Sequence, residues 1–247
     1  MKGASEASRT ALITGGNQGI GAALATCLLD SGFEVISLGL ELPTVTHPKL
    51  HGEIVDLLDN DAVVEVASAV TAKHAVSHLF HNAGQIRPAP VEQARASDLA
   101  ALTQLHLGSA LTLLQACLPA MKSRGFGRVV FTSSRAALGV PTRTAYSATK
   151  AGISGMARTW ALELAAHGIT VNVVAPGPVL TDNFWDIVPK GSPQESELAA
   201  RIPVGRLGTV DDVARALIFF AADEASFITG QTLFVCGGAS VGAMSLG

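Results

Sequence analysis

The sequence predicts an α/β protein built on a doubly wound, seven-stranded parallel sheet, in three layers with helices on both faces. Two observations carry this expectation. Seven short runs rich in Val, Ile and Leu (residues 10–14, 34–38, 53–57, 77–81, 128–133, 170–175 and 232–236) alternate with longer segments of helical composition. Segments of that length are what right-handed crossovers between parallel strands require. The second observation is a glycine cluster, Thr14-Gly15-Gly16-Asn17-Gln18-Gly19-Ile20-Gly21, set between the first run and a helical stretch at 22–30. In such sheets ligands gather beyond the carboxyl ends of the strands, so the residues that follow each run are the ones to inspect.

Composition limits the alternatives. A chain of 247 residues, 48% hydrophobic and 15% charged, can bury one large core but is short for two, so residues 1–247 read as a single domain. A net charge of -3 without any basic block argues against nucleic acid and anionic membrane surfaces as partners. Cys27, Cys117 and Cys236 are odd in number and far apart, which speaks against disulfides and structural zinc and for a reducing cytoplasm. No metal site is expected among the seven histidines, which show no paired ligand spacing. Residues 1–9 are small and polar and no apolar run reaches membrane-spanning length, so a soluble chain with a loose start is expected. Residues 178–203 mix Pro, Gly, Ser and charges without periodicity. That stretch is read as a substrate-covering lid, with a plain surface excursion as the alternative.

Each strand exit then contributes chemistry. Glycines let the backbone turn tightly and approach a pyrophosphate, while the helix that follows aims free amides and its positive end at the anion. Asp56-Leu57 follows the third run, and Asn82-Ala83-Gly84 the fourth. Ser133-Ser134 closes the fifth, and Asn172-Val173-Val174-Ala175-Pro176-Gly177-Pro178-Val179, with Thr181, follows the sixth. Asp56, Asn82 and Thr181 could equally be caps or turn residues. Tyr146 and Lys150 stand four apart, ahead of a helical run at 151–166. On a helix that spacing puts both on one face, where an ammonium can lower the phenol pKa.

Glycine spacing, Tyr146-x-x-x-Lys150 and the strand-end elements together resemble the short-chain dehydrogenases/reductases, from about Thr10 to Gly238. The resemblance implies a Rossmann-type fold and an NAD(P)-dependent oxidoreductase moving a hydride between nicotinamide and a ketone or secondary alcohol. It implies a site in which Ser134 orients the substrate oxygen, Tyr146 transfers the proton, and Lys150 binds the nicotinamide ribose while tuning Tyr146. Ser133 remains an alternative, because the interval from Ser134 to Tyr146 is one residue shorter than the family pattern. The residues expected to line the cofactor are Gly15, Asn17, Gln18, Gly19, Ile20, Gly21, Gly39, Asp56, Leu57, Asn82, Ala83, Gly84, Tyr146, Lys150, Pro176, Gly177, Val179 and Thr181. His106 stands where the family places an Asn that supports a proton-relay water. An imidazole could take over that relay, or be a satisfied core histidine. The family also implies a homotetramer or dimer.

At the end of the second run Gly39-Leu40-Glu41 shows neither an acid at the ribose-reading position nor a Lys or Arg, and the glycine turn lacks a basic residue too. Glu41 would repel a 2'-phosphate, so NAD is favoured, with NADP left open. Arg135 and Arg143 flank the segment between Ser134 and Tyr146 and could clamp an acidic substrate or serve structural ion pairs. Phe184, Trp185 and Ile187 would give the lid an apolar face. A sugar-nucleotide epimerase or dehydratase, and a non-catalytic NAD-binding sensor, are the competing classes.

Overall fold

The computed structural model describes residues 9–185 and 188–241. Seven strands, β1 (Thr10–Thr14), β2 (Glu34–Gly39), β3 (Leu50–Ile54), β4 (His78–His81), β5 (Gly127–Thr132), β6 (Ile169–Pro176) and β7 (Thr232–Val235), form one parallel sheet in the order β3-β2-β1-β4-β5-β6-β7. The order reverses between β1 and β4, the switch point at which open α/β sheets bind ligands.

Strand residues alternate between two cores, which is why the runs read as continuously apolar. Ala11 and Ile13 of β1 pack with Val130 against helices α1 (Gly19–Asp30) and α8 (Val210–Ala221). Leu12 and Val129 point the other way, onto α2 (Asn60–Lys73), α4 (Ser109–Arg124) and α5 (Thr144–Leu164). Helix α3 (Ala96–Thr103) runs into α4 through a π-helical segment, Gln104–Gly108. Together they span Ala96–Arg124, 29 residues that include an 18-residue window with a mean hydropathy of 1.2. By length and composition this helix could cross a membrane, which sequence reading did not anticipate. Here Leu102, Leu105, Leu113, Leu114, Cys117 and Met121 bury it in the core.

One expectation needs correction. The third strand is Leu50–Ile54, not 53–57. As the sheet edge it pairs only with β2, from Val35 with Leu50 to Gly39 with Ile54, and its own side chains are half-exposed or exposed. Val55 and Leu57, which suggested a strand, are buried in the loop beyond it. The described part of residues 178–203, the stretch read as a lid, holds two helices. They are α6 (Asp182–Trp185) and α7 (Pro193–Ala200), the latter capped by Ser192, whose hydroxyl accepts from Glu195 N–H at 3.3 Å. Val188 and Ile202 are buried, whereas Ile187 lies outside the described residues.

Candidate active site

β1 ends at Thr14, and the chain turns through Gly15 (φ 67°) and Gly19 (φ 53°), left-handed conformations that favour glycine. A Cβ on Gly21 would strike the Gly15 carbonyl and come within 2.8 Å of Asn82 Nδ2, so helix and turn pack without any side chain between them. Gln18 caps α1 with no side-chain bond and no acid occupies the first turn. That leaves the helix N-terminus available to an anion. α1 begins at Gly19 rather than residue 22, so Ile20 and Gly21 belong to its first turn. Thr14 ties this cradle to β4: its hydroxyl oxygen accepts from the N–H groups of Asn82 and Ala83, both at 3.0 Å. Asn82 donates from Nδ2 to the Gly15 carbonyl at 3.3 Å and accepts from the Thr132 hydroxyl at 3.1 Å, bracing the exits of β1, β4 and β5.

Around this turn the other expected residues fall into two groups. A Cβ on Gly39 would lie 3.2 Å from Asn17 Oδ1, and one on Gly19 would lie 3.5 Å from Thr181 Cγ2. The end of β2, the glycine turn and the start of residues 178–203 therefore lie side by side. Pro176 ends β6, Gly177 packs on Cys236, and buried Val179 bridges to Gly208. Asp56 spends Oδ1 on its own turn, accepting from Leu58 N–H at 2.9 Å, and Leu57 is buried beneath it. For Asp56 and Asn82 the side-chain bonds seen are the turn and bracing bonds of the simpler reading.

Tyr146 and Lys150 lie inside α5, on its first turns, rather than ahead of the helix. Lys150 is buried and donates from Nζ to the Thr132 carbonyl at 2.8 Å. Burial lowers its pKa to about 7. Its Nζ sits 5.6 Å from the centre of the Tyr146 ring. Ser133 is buried and its hydroxyl donates to the Lys150 carbonyl at 2.7 Å. Ser134, half-buried, accepts from Ala136 N–H at 3.1 Å, and hydrogen bonding with it acts on the Tyr146 phenol.

The expected lowering of the Tyr146 pKa is not found. Burial raises it, against opposing effects from hydrogen bonding with Ser134 and from the charge of Arg143. Lys150 does not offset that cost because its ammonium is directed at Thr132 and is itself driven towards the neutral form.

His106 sits in the π-helical segment and is completely buried. The Thr149 hydroxyl donates to backbone carbonyls of Ala145 and Tyr146 at 3.0 and 3.1 Å, so it accepts from His106 Nδ1 at 2.8 Å. His106 Nε2 accepts from Gln85 N–H at 3.3 Å. Both nitrogens are satisfied, and burial together with Lys150 holds the ring neutral. This arrangement fits the satisfied core histidine of the two readings. A Cβ on Gly84 would lie 3.2 Å from both His106 Nε2 and Lys150 Nζ, so these three residues meet at one point.

Several groups here were not singled out from sequence. Besides Thr14, Thr132 and Thr149, buried His81 links Thr14 Oγ1 at 3.1 Å to the Leu105 carbonyl at 3.2 Å, and burial lowers its pKa to about 3. A threonine directly before a glycine cluster was the one readable signal, since its hydroxyl can accept from backbone amides.

A family profile described as enoyl-(acyl carrier protein) reductase matches residues 15–240. The (2S)-[(R)-hydroxy(phenyl)methyl]succinyl-CoA dehydrogenase subunit BbsD of Thauera aromatica is 35% identical over 95% of this chain and 97% of its own. The 3-oxoacyl-[acyl-carrier-protein] reductase FabG of Thermotoga maritima is 33% identical over 93% and 97%. Among solved structures, a putative NAD(P)-dependent gluconate 5-dehydrogenase from Beutenbergia cavernae with bound NADP matches with a TM-score of 0.86 at 32% identity, over 96% of this chain and 99% of that one. The chain belongs to the short-chain dehydrogenase/reductase family and is an NAD(P)-dependent oxidoreductase acting on CH–OH or carbonyl groups.

Proposed function

We propose that this enzyme interconverts a ketone and a secondary alcohol with NAD as its preferred coenzyme, and that Ser134, Tyr146 and Lys150 are its catalytic residues. The observation that carries this reading is the meeting of Tyr146 with a buried Lys150, 5.6 Å from its ring, beside Ser134 at strand exits that also form the glycine cradle. The cradle fits a dinucleotide: its glycines leave no side chain in the way of a pyrophosphate, and the start of α1 is uncapped. When bound, the coenzyme supplies or accepts the hydride at the substrate carbon.

The protein's part is to position the substrate and handle the proton. Ser134 holds the substrate oxygen. Tyr146 gives that oxygen its proton in reduction and takes it back in oxidation, through the phenol oxygen. Lys150, directed at the β5 exit beside Gly84, binds on the ribose side and replenishes the proton on Tyr146. Its pKa of about 7 lets it hold or release a proton near neutrality. Residues 178–203, with Phe184 and Trp185 packed edge-to-face at 5.2 Å, act as the lid that excludes water. Glu41 near Gly39, with no Lys or Arg in the glycine turn, supports NAD over NADP. Exposed Leu162 and Phe227 support a homo-oligomer, dimer or tetramer, and three free cysteines suit a reducing cytoplasm.

A panel of ketones and alcohols assayed with both coenzymes by nicotinamide absorbance tests the proposal. Turnover with a lower KM for NADH than for NADPH is expected. A lower KM for NADPH would overturn the coenzyme preference, and no turnover on any member would overturn the catalytic assignment.

A further inference from the structure

We infer that Arg143 is the specificity-determining residue of this site and that it holds a carboxylate carried close to the reacting carbon, so that the substrate is an oxo acid or hydroxy acid rather than a neutral ketone. The inference rests on the catalytic reading of Tyr146 above and goes beyond it by naming the substrate class.

Placement is the first argument. Arg143 is the N-cap residue of α5, with φ -120° and ψ 32°, and Tyr146 lies three positions on in the first turn, so both side chains leave the chain at the same end of the helix. Its charge reaches the phenol, opposing the effect of burial there. The second argument is availability. Arg87 and Arg95, on the neighbouring loop, both bind Asp98 at 3.1 Å. Among the described residues Arg143 has no carboxylate within ion-pair distance, and its side-chain bond is to the hydroxyl of its own neighbour Thr142 at 3.0 Å. Four of the five N–H donors of a guanidinium are then left for an oxyanion, and the planar fork matches a carboxylate.

Rigidity is the third. Thr142 has φ 65°, the one non-glycine residue with positive φ among those described. Its carbonyl accepts from Ala89 N–H at 2.9 Å, and Ala89 bridges to Arg143. A strained residue persists only where its surroundings hold it, and such strain collects at ligand sites. Here it fixes the direction in which Arg143 leaves the chain, just before the helix that carries Tyr146. A carboxylate fits better than a phosphate. One guanidinium balances one negative charge, and Lys150, poised near neutrality and committed to Thr132, cannot fully balance a second.

The test compares an oxo acid with its methyl ester, the same carbonyl without the charge, on the wild-type enzyme and on Arg143→Ala and Arg143→Lys. A charge-assisted bond of this kind is worth about 30-fold in kcat/KM. Arg143→Ala is expected to lose that factor on the acid and less than about threefold on the ester, and Arg143→Lys to recover part of it. Equal losses on acid and ester, or no loss on either, would overturn the role of Arg143 alone. Reduction of neither compound by the wild type, nor of any other carbonyl, would overturn the catalytic reading and this inference together.

Discussion

Two cations are buried at opposite ends of strand β5, and they are treated differently. At the amino end, Arg128 is saturated. It donates to the carbonyls of Gly127, Gly168, Ala222 and Asp223 at 2.9 to 3.5 Å and lies over the Phe126 ring at 4.3 Å. At the carboxyl end, Lys150 has one bond, to Thr132, and its pKa falls to about 7. Both ends carry a buried neutral histidine, His78 below and His81 above, each lowered to about 3 mainly by burial. Buried charge alone therefore does not mark the site. What marks it is a buried cation with donors to spare, which costs stability and is tolerated where a ligand completes its shell.

The sharpest way to break this comparison is to remove each cation in turn. Lys150→Met is expected to lower kcat/KM by about 10³-fold, within the range for lost proton-transfer catalysis, without lowering the midpoint of urea unfolding. The pH dependence supplies a second readout. Below pH 7 the folded and unfolded chains both hold the Lys150 proton, and the full cost of burying it is felt. As pH rises from 7 towards 10.5, the unfolded chain retains a proton that the folded one has lost, so stability rises. That rise should be absent in Lys150→Met, and its persistence would place it on another group.

Arg128→Ala should do the reverse. It is expected to cost about 3 kcal/mol, roughly a 10²-fold shift in the folding equilibrium, because four carbonyls lose a charged donor. Its kcat per folded molecule should stay within about twofold. A large fall in kcat with unchanged stability would erase the distinction between the two ends. Gly21→Ala comes next. The added methyl meets the Gly15 carbonyl and Asn82, and an approximately tenfold rise in coenzyme KM is expected, corresponding to about 1.4 kcal/mol. The smallest effect belongs to His106→Asn. With a neutral ring satisfied on both nitrogens, the shape of the pH–rate profile should not change. Loss of one limb would restore the relay role.

How much of this was legible in the sequence follows from the range of the interactions. The glycine turn, Tyr146 with Lys150, and the strand exits depend on spacing within one or two elements, and the spacing was readable. The third strand was misplaced because an edge strand shows weak alternation, while the loop after it buries Val55 and Leu57. The helix α7 was missed although Ser192-Pro193 with Glu195 is a readable start signal. The surroundings of Ser133 and Ser134, the neutrality of His106 and the raised Tyr146 pKa each depend on partners 12 to 43 positions away. No local pattern carries that information.

Tyr146→Phe, assayed for coenzyme binding and for turnover on the same preparation, tests the central claim most directly. If the phenol transfers the proton beside an independent dinucleotide cradle, nicotinamide fluorescence should show coenzyme binding within about twofold of wild type, while kcat falls by about 10³-fold. Turnover close to the wild-type rate with binding intact would contradict the account.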